Sequence, residues 1–76
     1  MEKVLKILQG VRSDVDFMNE KALIDAGVLD SFDIISLVGE LNDEFNIEID
    51  AEDLEPANFN TVEAIVALVK RLQDEA

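Results

Sequence analysis

Length, composition and charge restrict the chain to one small acidic domain, residues 1–76. Its size lies near the lower limit for a self-sufficient core, which its 49% of hydrophobic residues can supply. With 18 acidic against 6 basic residues the formal net charge is −12, which disfavours binding to nucleic acid or to membranes and favours basic patches on partner proteins.

The N-terminal part of the sequence predicts one helix and a long loop. Apolar residues recur at helical spacing over residues 2–12, namely at Val4, Ile7, Leu8 and Val11. Residues 13–30 are mixed in character and predict a loop in which Gly27 is free to adopt a positive φ angle. Four apolar side chains of this loop are expected to pack on the core: Leu23, Ile24, Val28 and Leu29.

The strongest periodic signal lies in residues 31–46 and predicts a long helix with two surfaces. Its buried face consists of Ile34, Leu37, Val38, Leu41 and Phe45. Beside that face lie Phe32, Ile35 and Gly39, and the exposed arc holds Asp33, Ser36, Glu40 and Asp43. A second apolar stripe flanked by carboxylates indicates a partner-binding surface. The alternative is that Phe32 and Ile35 only cover neighbouring loops.

The C-terminal part predicts a connector, a short helical turn and a closing helix. Ile47 and Ile49 indicate an extended connector, and residues 50–54 a turn before Pro56. The last helix is expected to begin near Asn60, because Asn60 and Glu63 have capping-box spacing. Its buried face would consist of Val62, Ile65, Val66, Val69 and Leu72, and its negative end would interact with Lys70 and Arg71. The fold class is therefore all-α, a small bundle of three main helices plus one short helix.

The junction between the loop and the second helix combines a carboxylate with a hydroxyl. Asp30 and Ser31 are both common helix-capping residues, so capping is the simplest interpretation of either one. If Asp30 caps the helix, the Ser31 hydroxyl is left free beside unpaired backbone N–H groups. A phosphodiester would be favourably placed at this positive end of the helix dipole.

Residues 27–33 have the sequence GVLDSFD and are followed by Leu37-Val38 and Glu44-Phe45. Together with the length, acidity and helix order, they resemble acyl carrier proteins over nearly the whole chain. The resemblance implies that a phosphopantetheinyl transferase attaches 4′-phosphopantetheine from coenzyme A to Ser31, with Asp30 as motif residue and helix cap. It implies a phosphoprotein without catalytic residues or a metal site, which holds acyl groups as thioesters, as in fatty-acid or polyketide biosynthesis.

The resemblance also implies partner contacts and a place for the carried group. Acyl- or aminoacyl-loading and acyl-transfer enzymes would dock with basic patches on Asp33, Glu40 and Asp43, with Phe32 and Ile35 as apolar anchors. The interior lined by four residues would shelter an acyl chain, unless they are ordinary core: Ile34, Leu37, Ile49 and Val62. The protein would be a monomer.

Departures from the family pattern bear on the carried group. Fatty-acid carriers usually place a glycine two residues before the Asp, whereas Gly27 lies three before Asp30, which is more similar to D-alanyl carriers and to carriers of peptide or secondary-metabolite pathways. Ser36 stands where fatty-acid carriers commonly have an acidic residue, and Gly39 where they have a bulky apolar one. The carried group is therefore fatty acyl or another acyl group, with D-alanyl or aminoacyl as the alternative.

Three other classes of function fit the sequence less well than a carrier. An unmodified acidic helical adaptor would use Ser31 only as a cap. Calcium binding is disfavoured because the acidic segment after Asp14 has Met18 at the fifth position and the segment after Asp50 lacks glycine. An enzyme is disfavoured because the chain has no His or Cys and little volume for a catalytic cleft. No signal peptide or membrane-length apolar run is recognisable, which predicts a cytoplasmic protein.

Overall fold

A computed structural model describes residues 2–75 as a helical bundle. Its helices are α1 (Glu2–Val11), α2 (Ser31–Phe45), α3 (Pro56–Phe59) and α4 (Val62–Glu75), with a 3-10 helix at Ala51–Asp53. Three helices are long, and residues 2–75 contain no strand. The predicted all-α fold is therefore confirmed. Within the same residues, every helix is too short or too polar to cross a bilayer.

The core lies where the apolar faces of the three long helices meet. Leu8 of α1, Leu37 and Leu41 of α2 and Ile65 of α4 are completely buried. Full burial of one such side chain favours folding by about 1.5–3 kcal/mol, so these few residues carry much of the stability of a small domain. The remaining predicted core positions of α2 and α4 are buried or pack against this cluster: Ile34, Val38, Phe45, Val62, Val66, Val69 and Leu72.

The long loop adds its own side chains to this core. Leu23 and Leu29 are buried, as the sequence predicted, and Ile24 and Val28 pack against the cluster. Phe17 of the same loop is also buried, at 2% exposure, although no periodic pattern marked it. The loop is therefore anchored to the bundle at several points along its length.

The end of α2 leads directly into the extended connector. Asn46 adopts the left-handed conformation with φ 53° and ends the helix, its N–H donating to the Asn42 carbonyl. The Asn42 side-chain oxygen accepts the N–H of Ile49 at 3.0 Å, which holds buried Ile49 against the core. The predicted turn follows as the 3-10 helix. The sequence did not predict α3, which starts with Pro56 at its first position.

The start of α4 differs from the prediction. The helix begins at Val62, and the Thr61 hydroxyl caps it by accepting the Ala64 N–H at 3.0 Å. The capping box predicted for Asn60 and Glu63 is therefore wrong. The reason is that the Asn60 side chain hydrogen-bonds to the long loop instead.

The end of α4 also differs from the prediction. The helix continues to Glu75, so Lys70 and Arg71 precede the last turn, which contains no basic residue. The predicted interaction of both residues with the negative helix end is therefore wrong. Arg71 instead forms an ion pair with Asp53 of the 3-10 helix, with 2.8 Å between Nη2 and Oδ1.

Candidate functional site

The start of α2 is fixed by a reciprocal pair of carboxylates. The Asp33 N–H donates to Asp30 Oδ1 at 2.9 Å, and the Asp30 N–H donates to Asp33 Oδ2 at 3.2 Å. This is a capping box in which Asp33 takes the position usually held by Glu or Gln. The Asp30 carbonyl accepts the next free N–H, that of Ile34, at 3.0 Å.

Ser31 is the first residue of α2 and is exposed to solvent. Since Asp30 caps the helix, the Ser31 hydroxyl needs no intrahelical partner, and it makes no hydrogen bond to any residue in 2–75. The backbone N–H groups of Ser31 and Phe32 likewise find no acceptor within that range. A free hydroxyl therefore lies at the positive end of the helix dipole beside two free donors, a suitable environment for a phosphodiester.

Arg12, just beyond α1, contacts the capping box from outside. Its Nη1 lies 3.2 Å from Asp33 Oδ2, while its Nε and Nη2 bond the Asp14 carboxylate at 3.2 and 3.3 Å. These hydrogen bonds from Arg12 hold the pKa of Asp14 below its ordinary value, and those to Asp14 and Asp33 raise the pKa of Arg12. The exposed placement predicted for Asp33 is wrong: its side chain is 15% exposed because it reaches back towards Asp30 and Arg12.

The loop before Asp30 is tied to the junction between α3 and α4 by Asn60. Its side-chain oxygen accepts the N–H groups of Ile24 at 2.9 Å and Asp25 at 3.1 Å, and its backbone carbonyl accepts that of Leu23 at 3.0 Å. Gly27 then turns the chain with φ 73°, a positive angle of the kind predicted for it from the sequence. These hydrogen bonds and this turn hold the loop that leads to Ser31 in a defined conformation.

An open apolar groove of about 320 Å³ runs beside Ser31. Its walls are Ile24, Leu29, Asp30, Ser31, Ile34, Ile35 and Leu54. A pantetheine arm has an apolar dimethyl segment next to its phosphate. An apolar groove that begins at the free hydroxyl fits such a segment, so the residues present are compatible with this group.

The part of the interior that was expected to hold an acyl chain is filled by core side chains. Leu37 and Val62 are at most 1% exposed and Ile49 is 9% exposed, all three within the core cluster. Ile34 alone of the four predicted residues lines the groove beside Ser31. The arrangement favours the alternative that Leu37, Ile49 and Val62 are ordinary core residues.

The solvent-facing side of α2 carries the predicted second surface. Phe32 is 82% exposed and Ile35 is 69% exposed, which favours a second surface over the alternative that these side chains only cover neighbouring loops. Glu40 and Asp43 are exposed on the same helix, as are Ser36 and Gly39. We call the residues Phe32, Ile35, Glu40 and Asp43 the α2 surface.

Comparison with known proteins identifies the family of the chain. The chain matches the family described as phosphopantetheine attachment site over residues 2–69. It belongs to this family of carrier proteins, whose prosthetic group is 4′-phosphopantetheine. It is 42% identical over 60 residues to D-alanyl carrier proteins of Streptococcus pyogenes serotype M5 (strain Manfredo), serotype M49 (strain NZ131) and serotype M1, a match covering 79% of this chain and 76% of each relative. No solved structure matches the chain.

The sequence did not reveal two residues that shape the site, Arg12 and the loop-binding Asn60. Arg12 lies 21 positions before Asp33, and Asn60 lies 36 positions after Ile24. Both contacts join segments that are distant in the sequence, so no local spacing rule marks them. For Arg12 alone the composition offered a general hint: with 18 acidic and only 6 basic residues, each basic side chain has many possible acidic partners.

Proposed function

We propose that this protein is a D-alanyl carrier whose phosphopantetheine arm is attached to the Ser31 hydroxyl. The observation that carries the proposal is that Asp30 and Ser31 have different roles at the start of α2. Asp30 caps the helix, and Ser31 is exposed with its hydroxyl free of hydrogen bonds to residues 2–75. An ordinary cap would have its side-chain oxygen engaged by a backbone N–H.

Attachment uses the Ser31 oxygen as a nucleophile towards coenzyme A, within a phosphopantetheinyl transferase. A bond forms between Ser31 Oγ and the phosphorus next to the pantetheine, the bond to the second phosphate breaks, and 3′,5′-ADP leaves. The hydroxyl proton goes to a base of the transferase. The arm then supplies a thiol, which the 76-residue chain lacks, for holding the carried group as a thioester.

Three observations favour D-alanine over a long fatty acyl chain as the carried group. The relatives at 42% identity are D-alanyl carrier proteins. The bundle interior is filled by core side chains, the groove beside Ser31 is open to solvent, and the more enclosed apolar pocket next to it has a volume of only about 90 Å³. D-alanine bound through its carboxyl group keeps a positive ammonium group, which a protein of charge −12 attracts.

The α2 surface is the proposed docking site for the loading and transfer enzymes. Phe32 and Ile35 supply apolar anchors, and Glu40 and Asp43 attract basic patches. Asp33 is left out of this set because its carboxylate is occupied by Asp30 and Arg12. The proposal includes a monomeric, cytoplasmic carrier without catalytic activity of its own.

Intact mass spectrometry tests the attachment site. After incubation with coenzyme A and a broad-specificity phosphopantetheinyl transferase, the unmodified chain should gain the mass of one phosphopantetheine. Ser31→Ala should gain nothing, while Ser13→Ala, which removes another exposed serine hydroxyl, should gain the full mass. No gain on the natural sequence would favour the unmodified adaptor, and a gain on Ser31→Ala would place the arm elsewhere.

A loading assay tests the carried group. The phosphopantetheine-bearing protein is incubated with ATP and a D-alanine-loading ligase, and in parallel with a fatty-acyl-loading enzyme. The mass of one D-alanyl group should be added in the first reaction and be removed by hydroxylamine, which cleaves thioesters. Efficient loading with the fatty acyl chain alone would contradict the D-alanyl assignment but leave the attachment site intact.

A further inference from the structure

We propose that Arg12 is a positioning residue that fixes the Asp33 carboxylate and so presents Ser31 in the conformation that accepts phosphopantetheine. The inference rests on the proposed attachment at Ser31. It assigns a role in the site to a residue that belongs to neither α2 nor the Asp-Ser motif.

The contacts of Arg12 reach both sides of the Asp30-Ser31 junction. Its Nη1 lies 3.2 Å from Asp33 Oδ2, the same oxygen that accepts the Asp30 N–H at 3.2 Å. The same Nη1 lies 3.5 Å from the carbonyl oxygen of Val28, a long contact on the loop side. One guanidinium group therefore connects the loop before the junction with the first turn after it.

The geometry of the guanidinium group explains why an arginine suits this position. Its Nε and Nη2 bind the two Asp14 oxygens at 3.2 and 3.3 Å, which leaves Nη1 directed at Asp33. A rigid planar fork can hold both carboxylates at once, whereas a lysine ammonium has neither the plane nor the five fixed donors. The Arg12 side chain is 37% exposed, and its guanidinium group is held by Asp14 on one edge and by Asp33 on another.

The contact is expected to act on local order more than on overall stability. Ion pairs of this degree of exposure contribute little to the free energy of unfolding. The Asp33 carboxylate, however, also completes the capping box, so its orientation determines how firmly the Asp30 N–H is held. Loss of Arg12 should therefore loosen the first turn of α2 while the buried core keeps the bundle folded.

Arg71 provides a matched control for testing Arg12. It also forms an ion pair with a largely covered carboxylate, that of Asp53, at 2.8 Å, with side-chain exposures of 52% and 17%. Its hydrogen bonds and ion pairs within residues 2–75 involve none of residues 28–33. Arg12→Ala and Arg71→Ala change the net charge equally, so a general charge effect on the transferase should be the same in both.

The test combines hydrogen exchange with transferase kinetics on the full chain. In Arg12→Ala the Asp30 amide should exchange about tenfold faster, the order expected when a helix cap is lost, and kcat/KM for phosphopantetheine transfer should fall by a similar factor. Arg71→Ala should stay within about twofold on both measures, and Arg12→Lys should recover part of the loss. The melting temperatures of Arg12→Ala and Arg71→Ala should remain similar.

The possible failures are distinguishable. Normal modification of the natural sequence together with unchanged kinetics or unchanged Asp30 exchange in Arg12→Ala overturns the positioning role alone. Equal losses in Arg12→Ala and Arg71→Ala also overturn it, since they indicate a charge effect. If the natural sequence gains no phosphopantetheine, the proposed function itself fails, and the positioning role of Arg12 fails with it.

Discussion

Asp30 and Ser31 are adjacent in the chain, but their side chains have different surroundings. The Asp30 side chain is hydrogen-bonded in the capping box with Asp33, whereas Ser31 is exposed to solvent. The two residues are often interchangeable as helix caps in other proteins. Here the position of each one relative to the first helical turn determines which side chain is held and which is available.

Gly27, in the loop that leads to Ser31, has a backbone conformation that residues other than glycine rarely adopt. At φ 73° it lies in the left-handed region, and a Cβ at this position would meet no atom within 4 Å. We therefore expect Gly27→Ala to lower the free energy of unfolding by about 1–2 kcal/mol through backbone strain alone. Urea unfolding followed by circular dichroism measures this change.

Gly10 supplies the matched control for Gly27. It lies in α1 with a helical conformation, and a Cβ there would also meet nothing within 4 Å. Gly10→Ala should raise the free energy of unfolding by about 0.5–1 kcal/mol, because alanine favours the helix. If both substitutions stabilised the protein, strain at Gly27 would not be the governing effect.

Among the elements, the long loop depends on a residue from the opposite end of the chain. The Asn60 side chain satisfies two loop N–H groups, those of Ile24 and Asp25, and its Nδ2 donates to the Asp25 carboxylate at 3.0 Å. The junction of α3 and α4 thus acts as a support for the loop that leads to Ser31.

Removal of this support should be measurable. Asn60→Ala leaves the Ile24 and Asp25 N–H groups without their acceptor, and we expect a loss of about 1–2 kcal/mol in the free energy of unfolding. Hydrogen exchange should show faster exchange of these two amides. Thr61→Ala, which removes only the α4 cap, should affect the Ala64 amide and leave the loop amides protected. Unchanged Ile24 exchange in Asn60→Ala would contradict the proposed support.

The sequence predicted the elements that arise from local patterns and missed the contacts that join distant segments. The spacing of Leu37 and Leu41 is a property of one helix, so the long α2 and its buried face could be predicted. Asn60 has a favourable capping spacing to Glu63, but its actual partners lie 36 and 35 positions earlier in the chain. Tertiary contacts of this kind overrule a local preference, and local spacing cannot reveal them.

For the whole molecule, the balance between a small core and a large negative charge sets the stability. The protein measures 32 × 22 × 20 Å. The distance over which salt screens charges is about 30 Å at 0.01 M and about 8 Å at 0.15 M, so at low salt the acidic groups repel one another across the entire bundle. Added salt restricts that repulsion to near neighbours.

We therefore expect the melting temperature to rise when sodium chloride is increased from about 10 mM to about 150 mM. Calorimetry at constant neutral pH measures the change. The double substitution Glu2→Gln and Glu48→Gln removes two exposed charges and should reduce the salt dependence. A melting temperature that is independent of salt would show that self-repulsion is not a significant strain on this fold.

The exposed ring of Phe32 and the exposed branched side chain of Ile35 also bear on how two copies of the protein interact in solution. Two copies that met through Phe32 and Ile35 would bring the Glu40 and Asp43 carboxylates of both chains close together. Like charges in such an encounter repel, whereas a cationic enzyme meets no such barrier. The carboxylates beside Phe32 and Ile35 therefore disfavour the association of two copies through the α2 surface, although its centre is apolar.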